Sequence, residues 1–123
     1  MNVWLLIAAI NGALAVAAGA FSAHGMQAHY DAHAIDLFET GARYHMYHAL
    51  AMGLSALAMR GSATQAARLS AIFFMIGIYL FSGSLYLIAV TGTNLLPFAP
   101  PVGGFAFLIG WGLLAVAATR MKP

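Results

Sequence analysis

The sequence predicts an all-α membrane protein, a bundle of four transmembrane helices with both termini in the cytoplasm. The first observation is composition: of 123 residues, 63% are hydrophobic and only 7% are charged, whereas about 25% of a soluble domain is charged. The second is a set of four apolar segments, and the third is the placement of Lys and Arg between them. A soluble fold of this size buries only about 60–70% of the surface that its unfolded chain exposes, so lipid must cover much of the rest.

The four segments run over about residues 3–23, 44–59, 69–90 and 102–119, within a single domain of residues 1–123. A helix needs about 20 mostly apolar residues to cross a bilayer, so the second segment is the weakest, and its helix is allowed to begin earlier. Continuous apolar runs such as AIFFMIGIYLF lack the alternation of a β-barrel strand. The first segment has no Lys or Arg before it and is longer than a signal-peptide core of about 7–15 residues, so we expect it to be retained.

Three connections separate these segments. The longest, His24–Arg43, contains all three acidic residues of the chain and is expected to be partly helical. The second is Gly61–Arg68 and the third is Thr91–Pro101, whose prolines are not expected to continue a helix.

The basic residues predict the orientation, because Lys and Arg collect on the cytoplasmic side of membrane proteins. With four spans, both termini and the second connection share one side, which then holds Arg60, Arg68, Arg120 and Lys122. The opposite side holds only Arg43, so both termini are predicted to be cytoplasmic.

Small residues recur at helical spacing in three segments, and such stripes let helices pack closely within lipid. We expect them to hold the bundle together, with an oligomer interface or a partner subunit as the alternative use. Asn11 lies inside the first segment and is expected to hydrogen-bond to another helix. The stripes are Ala8, Gly12, Ala15, Gly19 and Ala23; Ser70, Gly77, Ser84 and Thr91; and Gly103, Ala106, Gly110 and Ala117.

Three histidines are the candidate ligands for a metal or cofactor. His45 and His48 lie one helical turn apart, and His24 ends the first segment on the same side of the membrane. They could bind a metal, with Met46 or Met52 favouring Cu(I), or they could ligate haem. They could also relay protons or small solutes. A structural alternative is hydrogen bonding to a neighbouring helix, with Ser82, Ser84 or Tyr86 as partners. The sequence does not specify a cofactor.

A second polar cluster consists of Asp36, Glu39, Arg43 and Tyr47, in which Glu39 and Arg43 are spaced for a local ion pair. The sequence has no HExxH, no cysteine and no nucleophile elbow, so we expect no enzymatic activity. It also has no dense basic patch, so we expect no nucleic-acid binding.

Four motifs carry a resemblance to a known family. They are GAFSAHGM (19–26), FETGARYHMYHALAM (38–52), FSGSLY (81–86) and PPVGGFAFLIGWGLLA (100–115). Together they resemble the DUF423 family, which is similar to the transmembrane protein 256 group. The resemblance implies a small, multi-pass protein of the bacterial inner membrane and supplies no reaction. It makes His24, Phe38, Gly41, Tyr47 and His48 family-typical residues without assigned roles.

The leading functional hypothesis is a structural or accessory subunit of the membrane, acting as a homo-oligomer or within a larger membrane complex. One alternative is a metal- or haem-binding membrane protein that uses His24, His45 and His48. The other is a small transporter or channel element that acts as an oligomer.

Overall fold

The computed structural model describes residues 1–122, which form five α-helices and no strands. The helices are α1 (Val3–Ala20), α2 (Ala32–Ala58), α3 (Thr64–Gly77), α4 (Gly83–Thr91) and α5 (Ala99–Arg120). A π-helical turn, Phe21–Gly25, extends α1, and a second, Ile78–Ser82, joins α3 and α4 into one rod.

Three of the resulting helical segments are long and apolar enough to cross a membrane. They are Val3–Gly25, Thr64–Thr91 and Ala99–Arg120. The prediction of an all-α membrane protein is therefore confirmed, and these segments correspond to the first, third and fourth predicted spans. The second predicted span lies in α2, which is less apolar and does not belong to this set.

Helix α2 differs from its prediction at its beginning. It starts at Ala32 rather than near Tyr44, because the Asp31 carboxylate caps it by accepting a hydrogen bond of 2.8 Å from the Ala34 amide. The predicted connection His24–Arg43 is thus partly helical, as expected, and only residues 26–31 separate the first two helical segments. Asp36, Glu39 and Arg43 make this stretch less apolar, but their side chains are exposed and the helix continues through them.

The other two connections are also shorter than expected. Residues 59–63 join α2 to α3, and residues 92–98 join α4 to α5. Pro100 and Pro101 do not precede α5 but lie in its first turn, where a missing amide hydrogen breaks no helical bond. Gly92 ends α4 in the left-handed conformation, with φ of 71°.

Helix α2 is the centre of the bundle and packs against α1, α3 and α4, while α5 packs along α3. The small-residue stripe of α5 is buried, as predicted, and it permits very close contacts. A Cβ atom on Gly103 would lie 2.5 Å from the Phe81 amide nitrogen, and one on Gly110 would lie 2.6 Å from the Phe74 ring. The stripe of α1 is used only in part, because Ala8 and Ala15 are buried whereas Ala23 is exposed.

The α2–α3 connection lies at one end of the bundle, and the other two connections lie at the opposite end. At one end, the Ser62 hydroxyl donates a hydrogen bond of 2.8 Å to the Arg120 carbonyl, and Met1 lies near Arg60 around a shared cavity. At the other end, residues around His29 face residues 88–92, which form the end of α4 and the start of the third connection. Both ends of the described chain and the α2–α3 connection thus lie at the same end of the bundle.

Candidate functional site

His45 links three helices in the middle of the bundle. Its side chain points inward from α2 and is only 5% exposed. Its Nε2 atom lies 2.9 Å from Oδ1 of Asn11 on α1, and its Nδ1 atom lies 2.9 Å from the hydroxyl oxygen of Tyr86 on α4. The expected interhelical bond of Asn11 is confirmed, and Tyr86 is the histidine partner among the three that we considered.

The hydrogen bonds that join Asn11, His45 and Tyr86, here called the His45 network, have a fixed direction. The Asn11 amide nitrogen donates to the Ile7 carbonyl over 2.9 Å, so the amide oxygen is the atom that faces His45. An amide oxygen only accepts, and Nε2 of His45 must therefore donate to it. In a neutral imidazole the other nitrogen then accepts, and Tyr86 must donate its hydroxyl hydrogen to Nδ1.

His48 forms a second, separate set of bonds with the opposite tautomer. Its Nδ1 atom donates to the Tyr44 carbonyl over 2.7 Å, and its Nε2 atom accepts from the indole nitrogen of Trp111 on α5 over 3.1 Å. The imidazole also stacks on Phe107, with ring centroids 3.5 Å apart and planes 5° apart. His48 thus ties α2 to α5, while His45 ties α2 to α1 and α4.

The structure does not bring the three candidate histidines together. His24 is exposed in the π-helical turn after α1, and among residues 1–122 no group of three or more His, Asp or Glu side chains is placed to hold a metal ion. All four ring nitrogens of His45 and His48 already have protein partners. Ligation of a metal or haem by His24, His45 and His48 stays a prediction, and it would require some of these bonds to break.

The second predicted cluster lies outside the network. Asp36, Glu39 and Arg43 are exposed on α2, and Glu39 and Arg43 line an open cavity of about 340 Å³ beside the end of α1. Tyr47 is exposed, and its ring lies edge-on to that of Tyr44 at 5.6 Å. A functional role for these four residues stays a prediction.

A groove beside the His45 network opens between α1 and the α3–α4 rod, and its volume is about 490 Å³. Its walls are mainly apolar, and its polar side chains are those of Asn11, His45, Tyr79 and Tyr86. Neither Lys, Arg, Asp nor Glu lines it. The apolar and glycine lining consists of Ile7, Ile10, Leu14, Met75, Ile78 and Gly83, together with the ring of Tyr79.

Sequence reasoning missed two interhelical contacts. It left the partner of Trp111 open, although an indole N–H in the middle of a span generally needs an acceptor. It also did not pair Ser55 with Ser70, whose hydroxyls lie 2.7 Å apart between α2 and α3. The buried Ser82 hydroxyl has no partner within the described residues.

Comparisons with known proteins agree with the membrane fold. The model of a family described as protein of unknown function (DUF423) matches residues 18–104. The UPF0382 membrane protein YwdK of Bacillus subtilis is 42% identical over 98% of both chains. The UPF0382 inner membrane protein YgdD of Escherichia coli is 41% identical over 96% of this chain and 90% of its own. A UPF0382 membrane protein of Haemophilus influenzae is 42% identical over 98% of this chain and 97% of its own. No solved structure matches the chain.

Proposed function

The chain belongs to the DUF423 family and is a multi-pass protein of the bacterial inner membrane; from this premise, we propose that it is a non-enzymatic accessory subunit. It acts by binding a further transmembrane helix along the outer face of α1. The helix that binds there is α1 of a second copy of the chain.

The observation that carries this proposal is a second stripe of small residues on α1. The inner face of α1 packs on α2 through Ala8, Asn11 and Ala15. The opposite face carries Ala9, Ala13, Ala17 and Ala20, all of which are exposed. Small residues at such spacings of three and four let the backbones of two membrane helices approach closely. The inner stripe already packs in this way, which supports the same use for the outer one.

The hydrogen bonds of the buried histidines, His45 and His48, support a non-enzymatic role. A general base needs a nitrogen that can reach a substrate, whereas both imidazoles direct their nitrogens to protein groups. These bonds connect α2 to α1, α4 and α5. The histidines therefore serve to stabilise the bundle.

We further propose that α2 crosses the membrane together with the three more apolar segments. Its 27 residues extend about 40 Å at 1.5 Å per residue, which exceeds the hydrocarbon thickness of about 30 Å. The positions of Arg60, Arg68, Arg120 and Lys122 favour a cytoplasmic location for both termini. The proximity of Ser62 to Arg120 supports this arrangement.

Disulfide cross-linking tests the accessory role, because the chain has no native cysteine. In isolated inner membranes, oxidation of an Ala13→Cys variant should give a dimer of the chain. The matched control is Leu108→Cys, on the outer face of α5, where the side chain is 66% exposed. The proposal predicts a high dimer yield for Ala13→Cys and little for Leu108→Cys.

Two results would contradict it. Equal yields from the two variants would indicate random collision, and the absence of any dimer from Ala13→Cys would exclude self-association through α1. An adduct of a different mass would identify a partner subunit at this face and would reject the second copy as its occupant.

A further inference from the structure

The groove between α1 and the α3–α4 rod combines an apolar wall with unused hydrogen-bonding capacity. Its volume of about 490 Å³ lies within the range of about 300–1,000 Å³ that is typical of small-molecule sites. Its rim is open toward lipid, because Ile10, Leu14 and Tyr79 are 50%, 54% and 71% exposed. A molecule dissolved in the bilayer could enter from the side without passing through water.

The direction of the His45 network determines which groups remain free in this groove. Tyr86 has given its hydroxyl hydrogen to His45, so toward the groove its oxygen can only accept. The Asn11 amide nitrogen has a second hydrogen, whose sole partner is the Met75 sulfur at 3.7 Å, and a thioether is a weak acceptor. The network therefore offers the groove one acceptor, Tyr86, and one weakly used donor, Asn11, which contact opposite nitrogens of the His45 ring.

We propose that this groove binds an uncharged, lipid-soluble alcohol, whose hydroxyl group donates a hydrogen bond to the Tyr86 oxygen. A hydroxyl group is a donor and an acceptor at once. As a donor, it fits the Tyr86 oxygen, which has already given its own hydrogen to His45. The hydrocarbon body lies along Ile10, Leu14 and Ile78.

The depth of the site argues against a phospholipid as the occupant. Asn11 lies eight residues after Val3 and fourteen before Gly25, the two ends of its apolar segment, or about 12 Å and about 21 Å along the helix axis at 1.5 Å per residue. A charged headgroup stays at the interface because transfer into hydrocarbon is strongly unfavourable. The absence of charged residues from the groove lining agrees with a neutral ligand.

Two features of the rod keep the groove open. The π-helical turn Ile78–Ser82 lies beside it and brings Ile78 and Tyr79 to its wall, and such turns occur frequently at functional sites. Gly83 follows the turn, and the nearest atom to a Cβ placed on it is the Ile78 carbonyl oxygen at 3.8 Å. A larger residue at this position would occupy space that the glycine leaves to the ligand.

The test uses tritiated farnesol as the probe, bound to the full-length protein in nanodiscs. Unlabelled farnesol and farnesyl methyl ether are compared as competitors, since the ether keeps the acceptor but lacks the donor. We expect the ether to compete about fivefold less well, which is the effect of one neutral hydrogen bond. The Tyr86→Phe variant should bind farnesol more weakly by about the same factor and should bind the ether with unchanged affinity. The variant lacks the acceptor oxygen, which only a ligand with a hydroxyl hydrogen can use.

The Gly83→Leu variant should lower the affinity for both competitors at least tenfold, because the leucine side chain fills the groove. Its matched control is Gly104→Leu, at a glycine on α5 that is remote from the groove and where an added Cβ would have no atom within 4 Å. Tyr47→Phe controls for the loss of an exposed phenol. Both controls should bind farnesol as the native chain does.

Equal competition by the alcohol and the ether in the native chain would overturn the proposal, as would unchanged farnesol binding by Gly83→Leu. If Tyr86→Phe does not fold, these two comparisons still decide the question. The proposal does not depend on self-association: Gly83→Leu in the Ala13→Cys background should cross-link normally, so failure of the ligand site and failure of the interface are distinguishable.

Discussion

Gly103 is a position where the packing of α5 against the α3–α4 rod is sensitive to a single methyl group. In Gly103→Ala, the new Cβ would lie 2.5 Å from the Phe81 amide nitrogen and 2.9 Å from the Leu80 carbonyl carbon. These are backbone atoms that cannot rotate away, so the helices must separate until the shorter contact approaches 3.4 Å, the lower limit of ordinary contact. Overpacking of this kind destabilises by about 1–3 kcal/mol. Alanine recovers at most about 1 kcal/mol as the better helix former, so we expect a net loss of about 1–2 kcal/mol.

The adjacent glycine supplies the control. A Cβ on Gly104 meets no atom within 4 Å, so Gly104→Ala should be neutral or slightly stabilising. The measurement is the free energy of unfolding in mixed micelles titrated with dodecyl sulfate and followed by circular dichroism. Equal stability of the two variants, or a greater loss for Gly104→Ala, would refute the close approach of α5 to the rod.

Substitutions at three buried polar contacts are tested by the same unfolding assay. Asn11→Leu should lower the free energy of unfolding by about 1 kcal/mol, since it leaves the Nε2 hydrogen of His45 unpaired, and the loss should shrink in a His45→Leu background; additive losses would mean that the two side chains do not interact. Ser55→Ala and Ser70→Ala should show a coupling of about 0.6 kcal/mol, and zero coupling would contradict their hydrogen bond. Trp111→Phe removes the indole donor and should destabilise by about 0.6–1.7 kcal/mol, whereas an unchanged stability would show that this bond is not formed.

The sequence predicted the features that depend on local composition. Three spans follow from continuous apolar runs, and the buried stripe of Gly103, Ala106, Gly110 and Ala117 follows from helical spacing alone. The sequence allowed α2 to begin before Tyr44 but did not identify its first residue. Asp36, Glu39 and Arg43 lower the mean hydropathy of its first half, although they lie on an exposed surface of a helix that Asp31 caps.

The histidine contacts show where sequence reasoning stops. That His45 and His48 share a helix follows from their spacing, but their partners are set by how the helices rotate against each other. Asn11 and Trp111 lie 34 and 63 residues from the histidines that they contact. The hydrogen-bond direction through Asn11, and with it the free acceptor on Tyr86, depends on which amide atom faces Ile7. Spacing along one chain does not contain that information.

The path of α2 is the central claim, and two single cysteines test it directly. His29→Cys lies in the connection before α2 and Gly61→Cys in the connection after it, and both native residues are exposed. A membrane-impermeant maleimide is applied to spheroplasts before and after permeabilisation. We expect His29→Cys to react from outside and Gly61→Cys to react only after permeabilisation. Reaction of both cysteines from the same side would show that α2 does not cross the membrane.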